Sequence, residues 1–129
     1  MEYEVREGLY YSKEHEWLKV EGDTGIVGIT HYASEELGDI AFIELPKSKK
    51  VHQGGKLCEI ESVKAVSDIY SPISGEIIAV NSTLTDSPEL INEDPYSAWI
   101  AKVTIDKKAE LENLMSAEEY KEYLESLKE

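Results

Sequence analysis

Apolar and polar positions change period several times along this chain. In "EWLKVEGDTGIVGIT" Leu18 and Val20 alternate with Lys19 and Glu21, Gly22, Asp23 and Thr24 make a turn, and Ile26 to Ile29 resume the apolar positions. That is the pattern of a β-hairpin. Thr30 is placed to cap a two-turn helix over "HYASEEL", with Gly38 as its stop. "DIAFIEL" then has apolar residues at positions of both parities, which predicts a strand covered on both faces and ended by Pro46.

Beyond the polar, glycine-ended connector "KSKKVHQGG", "KLCEIES" and "VSDIY" read as two more strands, closed off by Pro72 and Gly75. "GEIIAVN" and "AWIAKVTI" are further strands, the second with Trp99, Ala101, Val103 and Ile105 on one face. A turn-rich loop, "STLTDSPELINEDPYS", lies between them. Ser116 and Glu119 have capping-box spacing, and Ala117, Tyr120, Leu124 and Leu127 recur at helical spacing, so a terminal helix packs outside the sheet. Many short strands with one terminal helix predict a mainly β fold, a flattened barrel or two-sheet sandwich. One domain over residues 1–129 is expected, with 108–129 as a C-terminal helical extension.

"ESVKAVSDIYSP" puts a lone lysine where the backbone must reverse. With Lys64 and Ala65 as a two-residue loop, Val63 faces Val66, Ser62 faces Ser67, Glu61 faces Asp68 and Ile60 faces Ile69. The Glu61/Asp68 rung sets two carboxylates across a ladder, against the local rule for sheet stability. Neither loop residue suits a turn with positive φ, so a type I or bulged loop is favoured over the primed types. In either case Lys64 projects into water between small neighbours. A lysine amine in water is protonated at neutral pH, so an enzyme that modifies one must take up the proton. Lys64 therefore reads as a modification site and not as a catalytic base.

Charge narrows the partners. A net charge of -14 repels nucleic acid and anionic lipid, which leaves proteins and small molecules. Cys58 is the only cysteine, so no internal disulfide forms, and it reads as a small apolar residue in a strand. His15, His31 and His52 show no metal-ligand spacing and read as surface residues. No run is long and apolar enough to span a bilayer, and "MEYEVREG" has no secretory pattern. A soluble cytoplasmic protein, or a matrix protein if a leader has been removed, is expected.

Gly54, Leu57, Ile60 or Glu61, Lys64, Ala65, Ser67-Asp68, Ile69, Gly75 and Ile77 together resemble the lipoyl-attachment signature, with the modified lysine at a hairpin tip. The likeness extends along the chain. "KEHEW", "GIVGITHYASEELGDI", "FIELP", "ESVKAVSDIYSPISGEI" and "VNSTLTDSPELINEDPY" resemble, in order and spacing, the H proteins of the glycine cleavage system. A biotin carrier would instead have Met-Lys-Met at the tip, and the lipoyl domains of 2-oxoacid dehydrogenases resemble only the hairpin.

The resemblance implies a lipoyl/biotinyl-type fold, lipoate in amide linkage on Lys64, and a carrier that is not itself an enzyme. It implies a monomer whose arm visits glycine decarboxylase, a tetrahydrofolate-dependent aminomethyltransferase and dihydrolipoamide dehydrogenase, after lipoate-attaching enzymes have loaded it. Neither nucleic acid nor membrane is a partner. Glu16 and Asp68 match positions lining the cleft for the aminomethyl arm, where a carboxylate would hold its protonated amine. Glu36 stands at a cleft position where some members carry histidine. Glu61 and Gly75 match positions associated with recognition by the attaching enzyme. "DPYSAWI" is shorter than the family's usual stretch. The alternative is an H-like lipoyl protein serving lipoate relay or sulfur metabolism.

Overall fold

The computed structural model describes residues 2–128. Nine strands form two antiparallel sheets: β1 (Tyr10–Tyr11), β2 (Glu16–Glu21), β3 (Thr24–Ile29), β4 (Ile40–Glu44), β5 (Lys50–Val51), β6 (Lys56–Ser62), β7 (Val66–Tyr70), β8 (Gly75–Val80) and β9 (Ala101–Thr104). The larger sheet runs β1-β2-β3-β9-β8-β5 and the smaller β4-β6-β7. The result is a flattened sandwich, not a closed barrel. Between the sheets lies an aliphatic core that includes Leu18, Val27, Ile43, Ile60, Ile73, Ile100 and Val103.

The first hairpin forms as the alternation predicts, with Leu18 opposite Val27 and Glu21 opposite Thr24. Helix α1 (His31–Leu37) follows. The Thr30 side chain accepts from the Ala33 N–H, and Gly38, at φ 78°, donates its N–H to the Ser34 carbonyl. Positive φ is the conformation for which a stop glycine is selected.

"DIAFIEL" departs from expectation. Its strand, β4, is the edge of the smaller sheet, and only Ile40 and Ile43 are buried, while Phe42 is exposed. A register shift between Ile40 and Phe42 inserts one residue, so buried positions fall three apart and both parities carry apolar side chains. The chain covers this strand on one face only.

The connector before β6 contributes β5, which pairs with β8 at Val51 and Gly75. Two residues are too short for periodicity to reveal. The turn-rich loop holds two short helices, α2 (Thr83–Asp86) and α3 (Leu90–Glu93), which bury Leu84 and Ile91. Strand β9 is shorter than "AWIAKVTI": Ala101 and Val103 face the main core, whereas Trp99 packs with a second, aromatic cluster.

That cluster seats the C-terminal extension, a 3-10 helix at Lys108–Asn113 and then α4 (Ala117–Ser126). The Ser116/Glu119 capping box is present. Ala117, Tyr120 and Leu124 are buried, but Leu127 lies past the helix end and is exposed. Tyr11 and Tyr120 stack at 4.5 Å, and the Tyr120 hydroxyl lies 2.8 Å from both Thr30 Oγ1 and His15 Nδ1. His15 is therefore not a surface histidine. It packs 4.4 Å from the Tyr32 ring at φ 71°, and burial pushes its pKa down to about 4.

Candidate functional site

The smaller sheet carries the lysine. Strands β6 and β7 pair Glu61 with Val66, Ile60 with Ser67, Glu59 with Asp68 and Cys58 with Ile69. This is two residues away from the register expected from the sequence. The Ser62 N–H donates to the Ala65 carbonyl at 2.8 Å, so the turn centres on Val63 and Lys64, not on Lys64 and Ala65. Ser62 is buried and its hydroxyl oxygen accepts from the N–H of both Lys64 (3.3 Å) and Ala65 (3.1 Å). A side chain thus replaces the carbonyl acceptor of an ordinary turn, a known habit of serine. Here the sequence signal was present: a serine two residues before the turning lysine.

Lys64 is exposed, and no ion pair engages it among the described residues. Its stem runs toward Gly38 at the end of α1, where an added Cβ would meet Lys64 Cε at 3.4 Å and Nζ at 3.9 Å. The amine is exposed to solvent and held at a short crest beside the end of α1. These are the conditions an amide-linked group requires.

The Glu61/Asp68 rung does not exist. Asp68 faces Glu59, and the carboxylate conflict is relieved by Lys56, whose Nζ lies 2.6 Å from Glu59 and 3.3 Å from Asp68. Asp68 therefore already has a cation. Only the register reveals this, because Lys56 is twelve residues from Asp68 in the chain.

Glu16 is buried, with 1 % of its surface exposed. Oε1 accepts from the Ser12 hydroxyl at 2.5 Å and Oε2 from the Tyr70 N–H, at the end of β7, at 3.1 Å. Desolvation pushes its pKa up to about 7, against the pull of those two bonds, and Glu14 adds to the rise. Burial, with help from Glu16, also pushes the Cys58 thiol up to about 12, so that cysteine is an unreactive core residue.

Glu36 is exposed on α1. It lines a cavity of about 270 Å³ with Tyr3, Tyr32, Leu124, Leu127 and Lys128. Gly75 is buried at the start of β8, and a Cβ there would fall 1.8 Å from the Thr104 carbonyl oxygen. Glycine is required because two backbones meet. Any reading of Gly75 by another protein would be indirect, through the strand path it permits. Lys64 is thus brought to the end of α1, Asp68 to Glu59 and Lys56, and Glu16 to the base of β7.

The glycine cleavage H-protein family model matches residues 9–127. The chain belongs to the glycine cleavage H-protein family. It is 61% identical to a probable glycine cleavage system H protein of Pyrococcus abyssi, over 98% of this chain and 96% of that one. A glycine cleavage system H protein of a Thermoanaerobacter species is 52% identical, over 95% and 98%. A crystal structure of such a protein from Mycobacterium marinum superposes with a TM-score of 0.81 at 35% identity, covering 94% of this chain and 99% of that chain. The two-sheet sandwich is therefore a family fold.

Proposed function

We propose that this member of the family is the lipoyl carrier of the glycine cleavage system and bears lipoate in amide linkage on Lys64. The observation that carries this reading is the lysine itself, exposed at the crest of a hairpin whose turn is tied beneath it by Ser62. The carrier is a subunit that presents a group and is not a catalyst. When bound on Lys64, lipoate would supply a redox-active dithiolane able to carry the aminomethyl unit of glycine. Glycine decarboxylase, the tetrahydrofolate-dependent aminomethyltransferase and dihydrolipoamide dehydrogenase are the partners of that cycle, and lipoate-attaching enzymes precede them.

The body of the chain shelters the cargo. Glu16 is the buried carboxyl to which a protonated aminomethyl amine is drawn. Ser12 occupies one oxygen and the Tyr70 N–H the other, so an ammonium reaches Glu16 by displacing one of them. Asp68 joins only by sharing Lys56 with Glu59, and Glu36 lines a cavity, with Leu124 of α4, to which neither Glu16 nor Asp68 contributes. The archaeal and bacterial relatives support a cytoplasmic protein, and no described helix is long and apolar enough to cross a membrane.

The test is loading. Lipoylated protein incubated with glycine and glycine decarboxylase should gain the mass of one aminomethyl unit on the arm. A chain that accepts lipoate but never the aminomethyl unit would belong to an H-like pathway instead.

A further inference from the structure

The crest that carries Lys64 leans on a second turn, the one that joins α1 to β4. Val63 donates its N–H to the Asp39 carbonyl at 3.0 Å, beside the Ile40 and Ser62 pair of β4 and β6. The Lys64 stem lies against Gly38. Gly38 and Asp39 therefore support both the side chain and the backbone of the crest. No ion pair orients the Lys64 amine among the described residues, so its direction follows from that support.

Asn92, in α3, holds the supporting turn. Its Oδ1 accepts from the Ile40 N–H at 2.9 Å, and its Nδ2 donates to the Gly38 carbonyl at 2.8 Å. One planar amide thus pins the backbone on each side of Asp39. Nδ2 also donates to Ser34 Oγ at 3.2 Å, and the Ser34 hydroxyl donates to the Ile91 carbonyl at 3.3 Å, which anchors the amide between α1 and α3. The residue type is matched to the task, because asparagine presents an acceptor and a donor from the same group. Aspartate would set a second acceptor against the Gly38 carbonyl, and alanine would leave both backbone groups without this partner.

We propose that Asn92 is a positioning residue for the attachment lysine: by pinning Gly38 and Ile40 it aims the Asp39 carbonyl at Val63, seats the lysine stem on Gly38, and so sets where Nζ stands. The inference rests on Lys64 being the attachment point. Ser62 shapes the crest from within, whereas Asn92 sets its bearing on the body from an element outside the hairpin. Attachment takes place at Nζ itself. There the amine nitrogen bonds to an activated lipoyl carbonyl, the activating group leaves with its electron pair, and the protons that the amine sheds pass to bases on the attaching enzyme. A crest that is formed but not aimed offers the amine over a wider arc, while the surfaces that meet are the same. The loss then falls on kcat and not on KM.

The experiment compares unmodified full-length chains carrying isotope-labelled lysine. In the wild type a nuclear Overhauser contact should join the Lys64 ε-protons to the Gly38 α-protons, and the Val63 amide should be protected from exchange. N92A should lose that contact and exchange at Val63 about tenfold faster, with Ile60 and Ile69 unchanged. S34A controls for stability alone. It removes a buried hydroxyl from the same cluster but neither bond to the turn, so the contact and the protection should persist. Amide formation followed by intact mass, with a purified lipoate-attaching enzyme, lipoate and ATP, should show kcat lowered about fivefold in N92A with KM within about twofold of wild type, and S34A unchanged. Should N92A not melt cooperatively, N92D carries the test: it keeps the acceptor for Ile40, loses the donor to Gly38, and should lose the same contact. A folded N92A or N92D chain that keeps the contact, the Val63 protection and the wild-type kcat, or an S34A chain that loses them as N92A does, would overturn the positioning role while leaving Lys64 as the attachment point. A wild-type chain that gains no lipoyl group at Lys64 would overturn both.

Discussion

The backbone N–H of Lys64 donates to the Ser62 hydroxyl at 3.3 Å, and the same oxygen accepts from Ala65. One buried side chain thereby fixes the two residues around the attachment point. The function asks for a long mobile arm, yet its root is held in a defined turn, so the modifying enzyme meets a formed shape and need not order the tip itself.

Removing that hydroxyl tests its role. Ser62→Ala should cost about 1 kcal/mol, the usual loss for such bonds, while the fold remains intact. Amide hydrogen exchange should quicken at Lys64 and Ala65 and stay unchanged at Ile60 and Ile69. Uniform acceleration along β6 and β7 would mean that Ser62 supports the whole hairpin and not its crest.

Glu16 makes a pH-dependent contribution whose sign is fixed by its raised pKa. The folded chain holds the proton to about 7, while an unfolded carboxyl releases it near its ordinary value of about 4.5. The stability from this group is complete below about 4.5 and is lost as pH rises through about 7, on the order of 3 kcal/mol. Glu16→Gln cannot ionise. Urea melts should show its stability relative to wild type improving from pH 5 to pH 8, and a constant difference would contradict a buried ionising group. His15 acts in the opposite sense, its depressed pKa removing stability as pH falls from about 6.5 through about 4, but both proteins share it and it cancels.

Gly75→Ala separates packing from recognition. The new Cβ meets the Thr104 carbonyl oxygen at 1.8 Å, so β8 and β9 must part, at a cost of about 2 kcal/mol or more. Thermal melting should show the loss in unmodified protein with no enzyme present. A variant as stable as wild type that is still poorly lipoylated would restore direct recognition of this glycine.

Tyr120 ties the terminal helix to the site-bearing body through Thr30 and His15. Tyr120→Phe keeps the ring stack on Tyr11 but leaves those partners without the hydroxyl, and should cost about 1 to 2 kcal/mol. The His15 ring resonances should shift in an NMR spectrum. Unshifted resonances would contradict the bond.

The sequence shows those parts of this molecule that local chemistry decides. Thr30 and Gly38 bound α1, Ser116 and Glu119 start α4, and the first hairpin has its expected register, because each depends on residues a few positions apart. Lys64 was readable as an exposed crest for the same reason. Register in the second hairpin was not, since a serine hydroxyl, absent from a strand pattern, takes the place of a backbone acceptor and shifts every rung. Phe42 was misplaced because a bulge counterfeits the pattern of a doubly covered strand. Asp68's partner Lys56 and the burial of Glu16 under β7 are products of strand pairing, which no short window of sequence contains.

The most direct measurement is the mass of the chain purified from the cells that make it, with peptide mapping across Glu61 to Tyr70. The carrier account predicts one lipoyl amide, located on Lys64 and absent from a Lys64→Arg chain. Unmodified Lys64 in cells actively cleaving glycine, or lipoate on another lysine, would contradict it.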